Sequence, residues 1–468
     1  MVTTAEQFDL AVIGGGPGGY AAALYGASVG MNVALVEKDK VGGTCLHPGC
    51  IPAKEFLETA AVYRHVAGAK EFGIDAGQPI VDFAVSQARK QKVVDGLWKG
   101  LAGLIKSRKI TTYEGVGSLG AGHAVTVKGT DGSTTSLTAT NVILASGSVP
   151  RTLPGFDVGG PIMTSDEVLL LDYVPQRVVV IGGGAIGCEF ASTFADLGAK
   201  VTILEFLPKI IPGCDGDVTN LLSRSLSKRG ITIRTDTKVV GHEPMANGTK
   251  VLVEGGEPVE TDIVVVSVGR RPLADDLGLV GTSVKVDPRG FIEVDDFCRT
   301  GETGVFAIGD VINTPQLAHV GFAEAIMVIK EILGENPVPV MYDRVPWAIY
   351  CYPEVAFAGH SEETAKEAGF DVVVSKHQYR GNSRAQIIGE TEGLVKIIAQ
   401  KLPDGTGGRI LGVHMVGPWV TEQLGQGYLA VNWEATVAEV AEFIQPHPTL
   451  SELFGETVLS LTGRSLHG

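Results

Sequence analysis

Cysteine is scarce in this 468-residue chain, with six residues at positions 45, 50, 188, 214, 298 and 351. So few cannot make a secreted disulfide scaffold, and any disulfide that persists in a reducing compartment is expected to serve chemistry. Positive charge is also in deficit: 38 Lys and Arg stand against 53 Asp and Glu, a net charge of −15. That balance argues against nucleic acid or an anionic membrane surface as principal partner, since both are polyanions. No stretch approaches the roughly 18 uninterrupted apolar residues of a membrane-spanning helix. The opening Met1–Asp9 is polar and leads straight into a strand pattern, so no secretory signal is expected and the expected location is the cytoplasm. No set of His, Cys and carboxylate residues has metal-ligand spacing. The single Gly-x-Ser-x-Gly match, Gly26 to Gly30, closes a helix pattern, whereas a serine nucleophile needs a strand-to-helix turn.

What the chain has in abundance is glycine, 62 residues, as tight turns and close backbone approaches to ligands require. Asp9–Ile13 is an apolar run, followed by Gly14-Gly15-Gly16-Pro17-Gly18-Gly19, an Ala-rich helix pattern, and Val33–Glu37. This strand, glycine turn, helix and strand form a βαβ unit. The grammar recurs from Arg177 through Gly182-Gly183-Gly184-Ala185-Ile186-Gly187 to Val201–Glu205. In each fingerprint the first glycine permits the turn, the second admits a pyrophosphate, and the third packs helix on strand. Gly14, Gly16 and Gly19 are followed after 18 residues by Glu37, and Gly182, Gly184 and Gly187 after 18 residues by Glu205. A carboxylate at that distance accepts from a ribose diol.

Two such units imply two dinucleotides. The first adjoins Gly42-Gly43-Thr44-Cys45-Leu46-His47-Pro48-Gly49-Cys50-Ile51-Pro52-Ala53-Lys54 and is expected to hold FAD. The second is expected to take an exchangeable nicotinamide, NAD in preference to NADP, because Glu205 would repel a 2′-phosphate, although Lys209 lies nearby. A partly irregular helical turn suits Cys45 and Cys50, and a helix start favours a thiolate. Lys54, one turn beyond Cys50, could steady negative charge. Near the C-terminus, His447 in Gln445-Pro446-His447-Pro448-Thr449-Leu450-Ser451-Glu452 is a candidate base, with Glu452 to orient it. His47, His319 and His414 read as structural.

The remainder divides into a helical stretch over 59–108, short strands over 111–148, strands at 263–268 and 301–310, and a helix over 321–333. Beyond 346 comes an α+β region with strands at 394–398 and 410–415 and helices at 421–431 and 437–443. The expected domains are 1–150, 151–275, 276–345 and 346–468. The expected class is α/β, two Rossmann-like dinucleotide-binding domains plus a C-terminal α+β dimerisation domain.

The cysteine segment, the two fingerprints, Ala307-Ile308-Gly309-Asp310, Leu317-Ala318-His319 and His447 to Glu452 together resemble the class I flavin disulfide reductases. The match is nearest to the branch that oxidises protein-bound dihydrolipoyl groups and reduces NAD. The resemblance implies a homodimer with its active site shared across subunits and a lipoyl-bearing protein as partner. It implies that Cys50 faces the flavin, that Cys45 exchanges with substrate, and that His447 with Glu452 is the base supplied by the partner subunit. It implies FAD contacts at Gly14, Gly16, Gly19, Glu37, Thr44, Lys54, Gly117, Gly147, Asp310 and Ala318. NAD contacts are implied at Gly182, Gly184, Gly187, Glu205, Val239 and Gly269, with Glu189 pairing Lys54. This chain departs from the family pattern at His47 and Pro48, where Asn and a small aliphatic residue are usual, and at Ser146, Ala325 and Gln445. Two alternatives remain: a relative with another disulfide substrate, and a flavoprotein that mainly docks.

Overall fold

The first apolar run forms a strand, β1 (Glu6–Ile13), followed by α1 (Pro17–Ser28) and β2 (Val33–Glu37), in a computed structural model that describes residues 6–467. Met1–Ala5 of the polar opening stretch, and Gly468, lie outside the described residues. β1 and β2 pair in parallel, from Leu10 opposite Val33 to Ile13 opposite Val36. Leu10–Val12 and Val33–Val36 are buried, because a parallel strand covered on both faces is apolar throughout and does not alternate. Two short helices follow, α2 (Gly43–Leu46) and the first turns of α3 (Cys50–Gly68).

Contacts divide the chain into two compact units. The first comprises Met1–Glu55, Val85–Arg151 and Gly269–Tyr342. Its seven-stranded sheet runs in the order Thr111–Glu114, β2, β1, Thr134–Leu144, Ala124–Lys128, Val116–Leu119, and Val305–Ala307 also pairs with Thr134–Leu144. One continuous core joins β1, β2, Val142–Leu144 and Val305–Ile308 to the helix Ala318–Ile332. That helix lies close on α1 because both are glycine at the crossing. A Cβ added at Gly321 would meet Gly18 Cα at 3.3 Å.

The second unit comprises Phe56–Ala84, Thr152–Val268 and Asp343–Gly468. A parallel sheet there repeats the first grammar, ordered Thr232–Arg234, Lys200–Leu204, Arg177–Ile181, Ile263–Val266, Ile162–Met163. Arg177–Ile181 pairs in parallel with Lys200–Leu204, residue for residue as β1 does with β2. The later part of the unit carries a five-stranded antiparallel sheet, Trp347–Ile349, Glu354–Gly359, Gly407–Gly417, Leu394–Lys401, Val372–Gln378. Helices Val420–Asn432 and Glu452–Ser460 pack on that sheet, their buried residues joining the same core. The class is therefore the α/β one the sequence implies, two Rossmann-like halves and a C-terminal α+β region.

The stretch over 59–108 is less uniform than its periodicity suggests. α3 stops at Gly68, a short 3-10 turn follows, and the next helix is Phe83–Ser107. Gly73 and Gly77 adopt positive φ of 76° and 67° in the interruption, a conformation that glycine takes at little cost and that ends a helix. The helix expected over 321–333 starts earlier, at Ala318.

Candidate active site

Backbone geometry makes the two glycine turns alike. Gly14 and Gly182 adopt φ of 107° and 103°. Their amides donate to Val36 and Leu204 at 2.8 and 2.9 Å. Cβ atoms there would stand 2.2 Å from the Ala145 carbonyl oxygen and 2.4 Å from that of Ser267. Gly19 and Gly187 press their helices onto the turn so closely that a Cβ would lie 1.8 and 2.0 Å from the carbonyl oxygens of Gly14 and Gly182. By contrast, Gly16 and Gly184, the residues capping the two helices, have nothing within 4 Å of such a Cβ and no side chain on the first amides. An uncapped helix start beside open space fits a pyrophosphate, which the amides and helix dipole both favour.

Glu37 ends β2 and Glu205 directly follows the strand Lys200–Leu204, and each folds back on its turn. Glu37 Oε2 accepts from the Gly15 amide at 2.6 Å and Oε1 from the Asp39 amide at 3.0 Å. Glu205 Oε2 accepts from the Gly183 amide at 2.5 Å and Oε1 from the Leu207 amide at 2.7 Å. A carboxylate offers about four lone-pair sites, so each retains capacity for a ribose diol.

The cysteine loop is fastened to the first turn. The Gly42 amide donates to the Gly15 carbonyl at 2.8 Å, and a Cβ at Gly43 would stand 2.6 Å from Gly16 Cα. Thr44 and Cys45 lie in α2, and Cys50 is the first residue of α3. Cys45 and Cys50 are joined as a disulfide with 4.5 Å between Cα atoms. The loop between them is tight: a Cβ on Gly49 would stand 2.6 Å from the Thr44 carbonyl oxygen. His47 Nε2 donates to the Val41 carbonyl at 3.0 Å, strapping the loop between the cysteines to the segment before it. Lys54 lies in the first turns of α3.

The other cysteines differ in kind. Cys188, Cys214, Cys298 and Cys351 are free and buried, and burial pushes each thiol well up from its ordinary range. Inert small apolar residues behave so.

Gly147 turns with a φ of 75° just after Ala145 and Ser146, which cover the first fingerprint. Gly117 fits against β1 and β2, where a Cβ would meet Ile13 at 2.9 Å. Asp310 sits in a short 3-10 turn after Val305–Ala307, and Ala318 opens the next helix. Val239, in the second unit, starts the strand Val239–Pro244, and Gly269, with a φ of 104°, opens the last stretch of the first unit. Glu189 is buried in the helix after the second turn and accepts the Tyr350 amide at 3.0 Å.

Three residues around Asp310 carry no sequence expectation. Arg270 Nε donates to Ser148 Oγ at 2.7 Å, and Ser148 Oγ donates to Asp310 Oδ2 at 2.5 Å. Glu324 is fully buried and accepts the Gly309 amide at 2.6 Å, with Thr314 and Tyr342 hydroxyls each at 2.9 Å. Burial pushes its carboxyl up, against those three donors. The available signal was a lone acid inside the apolar face of Ala318–Ile332, a position where an unpaired carboxylate is costly.

His447 Nδ1 lies 2.8 Å from Glu452 Oε1, and the Thr449 amide donates to Glu452 Oε2 at 2.7 Å. Because a carboxylate only accepts, Nδ1 carries the proton and Nε2 is left as the basic nitrogen. The imidazole is 70% exposed, its carboxylate partner 23%. His414, by contrast, is wholly enclosed. Its Nδ1 accepts the Asp215 amide at 3.2 Å and its Nε2 donates to the His360 carbonyl at 3.0 Å, as a structural histidine does. Among the described residues no group of three or more His, Cys, Asp or Glu is arranged to hold a metal ion, and no helix is long and apolar enough to cross a membrane.

Residues 8–325 match the family model "Pyridine nucleotide-disulphide oxidoreductase", and residues 345–458 match the same family's dimerisation domain. The chain is 39% identical to dihydrolipoyl dehydrogenase of Bacillus subtilis over 99% of its length and 100% of the relative's. It is 36% identical to the mitochondrial dihydrolipoyl dehydrogenase of Pisum sativum over 99% of this chain and 93% of that one. Among solved structures it is similar to LpdA from Mycobacterium tuberculosis, with a TM-score of 0.90 at 25% identity, covering 98% of this chain and 100% of that one. It is also similar to the HOCl-induced flavoprotein disulfide reductase RclA from Escherichia coli, with a TM-score of 0.87 at 25% identity, over 97% and 99% of the two chains. Matched along nearly all of its length, this chain belongs to the pyridine nucleotide-disulphide oxidoreductase family.

Proposed function

We propose that the protein is a dihydrolipoyl dehydrogenase, oxidising protein-bound dihydrolipoamide to lipoamide and reducing NAD to NADH. The observation that carries this reading is the Cys45–Cys50 disulfide held against the first dinucleotide turn by Gly42 and Gly43. Full-length relatives bearing that enzyme's name support it.

The first turn, with Gly14, Gly16, Gly19 and Glu37, holds FAD, helped by Thr44, Lys54, Gly117, Gly147, Asp310 and Ala318. The second, with Gly182, Gly184, Gly187, Glu205, Val239 and Gly269, holds NAD, and Glu189 supports the site. Bound FAD supplies the two-electron relay between the cysteine pair and NAD. Residues 1–150 and 276–345 thus build the FAD part, 151–275 the NAD part and 346–468 the dimer contact.

His447 of the partner subunit takes a proton from one substrate thiol through Nε2, while Glu452 of the partner subunit holds Nδ1–H and steadies the imidazolium. The substrate thiolate attacks Cys45, the Cys45–Cys50 bond breaks, and Cys50 leaves as a thiolate at the start of α3, where the helix dipole favours it. The second substrate thiol, once deprotonated, attacks the substrate sulfur bonded to Cys45, so that the mixed disulfide breaks, lipoamide leaves and Cys45 departs as a thiolate, completing the reduced pair. In sum the dithiol loses two electrons and two protons, NAD takes a hydride, and one proton is released. The lipoyl group arrives on a carrier protein in the cytoplasm.

A steady-state assay of flavinylated protein with dihydrolipoamide and NAD tests this. NADH formation that disappears in Cys50→Ser supports the reading, and no NADH from fully flavinylated protein overturns it.

A further inference from the structure

The segment after Glu205 doubles back over the second glycine turn. The Leu207 amide is on the Glu205 carboxylate at 2.7 Å, the Ile211 amide donates to the Gly183 carbonyl at 2.8 Å, and a Cβ at Gly183 would stand 2.7 Å from Ile210. Lys209 lies between those two anchors along the chain, in the segment that folds back on the turn beside Glu205. A free ammonium there would attract a 2′-phosphate and offset the repulsion from Glu205. It is not free. Lys209 Nζ pairs with Glu363 at 3.0 Å.

Glu363 is set in place by its neighbours. It stands in the first turn of the helix Glu362–Glu367, capped by Ser361 Oγ on the Thr364 amide at 3.1 Å. The Glu362 amide donates to Asp215 Oδ2 at 3.1 Å. Buried Lys396 joins Glu362, Asp215 and Asp217, each at 2.9 Å. The acid that meets Lys209 is thus mounted on a fixed helix end. The other basic side chains near Glu205 are also engaged: Lys238 with Glu254 at 2.8 Å, and Arg234 with the Glu257 carbonyl at 2.9 Å.

We propose that Glu363 is a specificity-determining residue: by holding Lys209, it denies a 2′-phosphate a cation on the segment that folds over the second turn and reinforces the preference for NAD that Glu205 begins. This rests on the assignment of the second turn to the nicotinamide dinucleotide. The pair is partly exposed, so its effect is modest and falls with added salt.

The holoenzyme and its Glu363→Gln variant are compared for kcat/KM with NAD and NADP, and by calorimetry for binding of adenosine 2′,5′-bisphosphate against adenosine 5′-monophosphate. Glu363→Gln should raise the NADP to NAD ratio by about threefold or more at low salt, leaving NAD within about twofold. The 2′,5′-bisphosphate should gain in parallel, and adding Lys209→Met should remove the gain. An unchanged ratio in Glu363→Gln overturns the proposal, as does a gain that survives Lys209→Met. If the enzyme makes no NADH from dihydrolipoamide, the substrate assignment fails, while the two nucleotide affinities still decide the role of Glu363.

Discussion

His447 is largely exposed, yet one of its ring nitrogens is already committed, because Glu452 holds Nδ1–H at 2.8 Å and is itself fixed by the Thr449 amide. Two hydrogen bonds on one carboxylate set both the tautomer and the direction of Nε2, so removing the carboxylate should damage proton transfer without moving the nucleotides. His447→Gln is expected to lower kcat for dihydrolipoamide by roughly a hundredfold or more, the usual worth of a general base. Glu452→Gln should cost less but in the same parameter, and NADH oxidation by an artificial one-electron acceptor should persist in both. Stopped-flow reduction by dihydrolipoamide separates the two half-reactions. An equal loss in both assays contradicts the assigned role. The pairing of Cys45 with Cys50 and of His447 with Glu452 was legible in the sequence because each pair sits in a short motif whose residues are neighbours along the chain. Ser148, Arg270 and Glu324 were not, since they meet Asp310 and Gly309 only through contacts 162, 122 and 15 residues apart or in series.

The two βαβ units were legible as elements for a related reason. Their signals are local: apolar runs too short for helices, glycines at fixed offsets, and an acid closing each second strand. Less legible was the broken helix over 59–108, where periodicity persisted through a segment that Gly73 and Gly77 interrupt. Pairing order was also hidden, because Thr134–Leu144 joins β1 across more than a hundred residues. The tight crossing at Gly187 gives the element-scale expectation. Its Cβ would lie 2.0 Å from the Gly182 carbonyl oxygen and 2.8 Å from Ser267 Oγ, so Gly187→Ala must push the helix off its strand and tilt the uncapped amides. NAD affinity should fall at least tenfold, while flavin content stays near one per chain, since the first turn is built from other residues. Gly19→Ala should do the reverse and strip flavin. Equal loss of both nucleotides from either variant would mean the turns are not independent.

Stability of the whole chain should carry the mark of His414, whose imidazole is buried against Phe357 and whose pKa is pushed down to about 4, first by burial. A free histidine titrates near pH 6.5, so between about pH 6.5 and 4 the unfolded chain binds a proton that the folded chain refuses. The stabilisation is complete above that window and is lost as pH falls through it, on the order of 3 kcal/mol. Glu324 and Glu354, whose burial pushes their carboxyls up, work in the opposite direction. The slope of thermal midpoint against pH in this range should therefore flatten in His414→Gln. Assembly is the other property of the whole molecule. Phe443 and Ile444, just before His447, are 63% and 89% exposed, and Trp433 is 73% exposed, all within the region matching the dimerisation domain. Large apolar side chains so exposed, two of them just before a candidate base in the sequence, suit a contact with a second copy, which would remove them from water and bring that base to the partner's cysteines. Replacing Phe443 and Ile444 together by Asp should shift the chain from twice its mass to its own mass by light scattering. Dihydrolipoamide oxidation should fall with the dimer fraction, while NADH oxidation by an artificial acceptor should continue in the monomer. A variant that stays dimeric and active would show that these residues face water in the assembly.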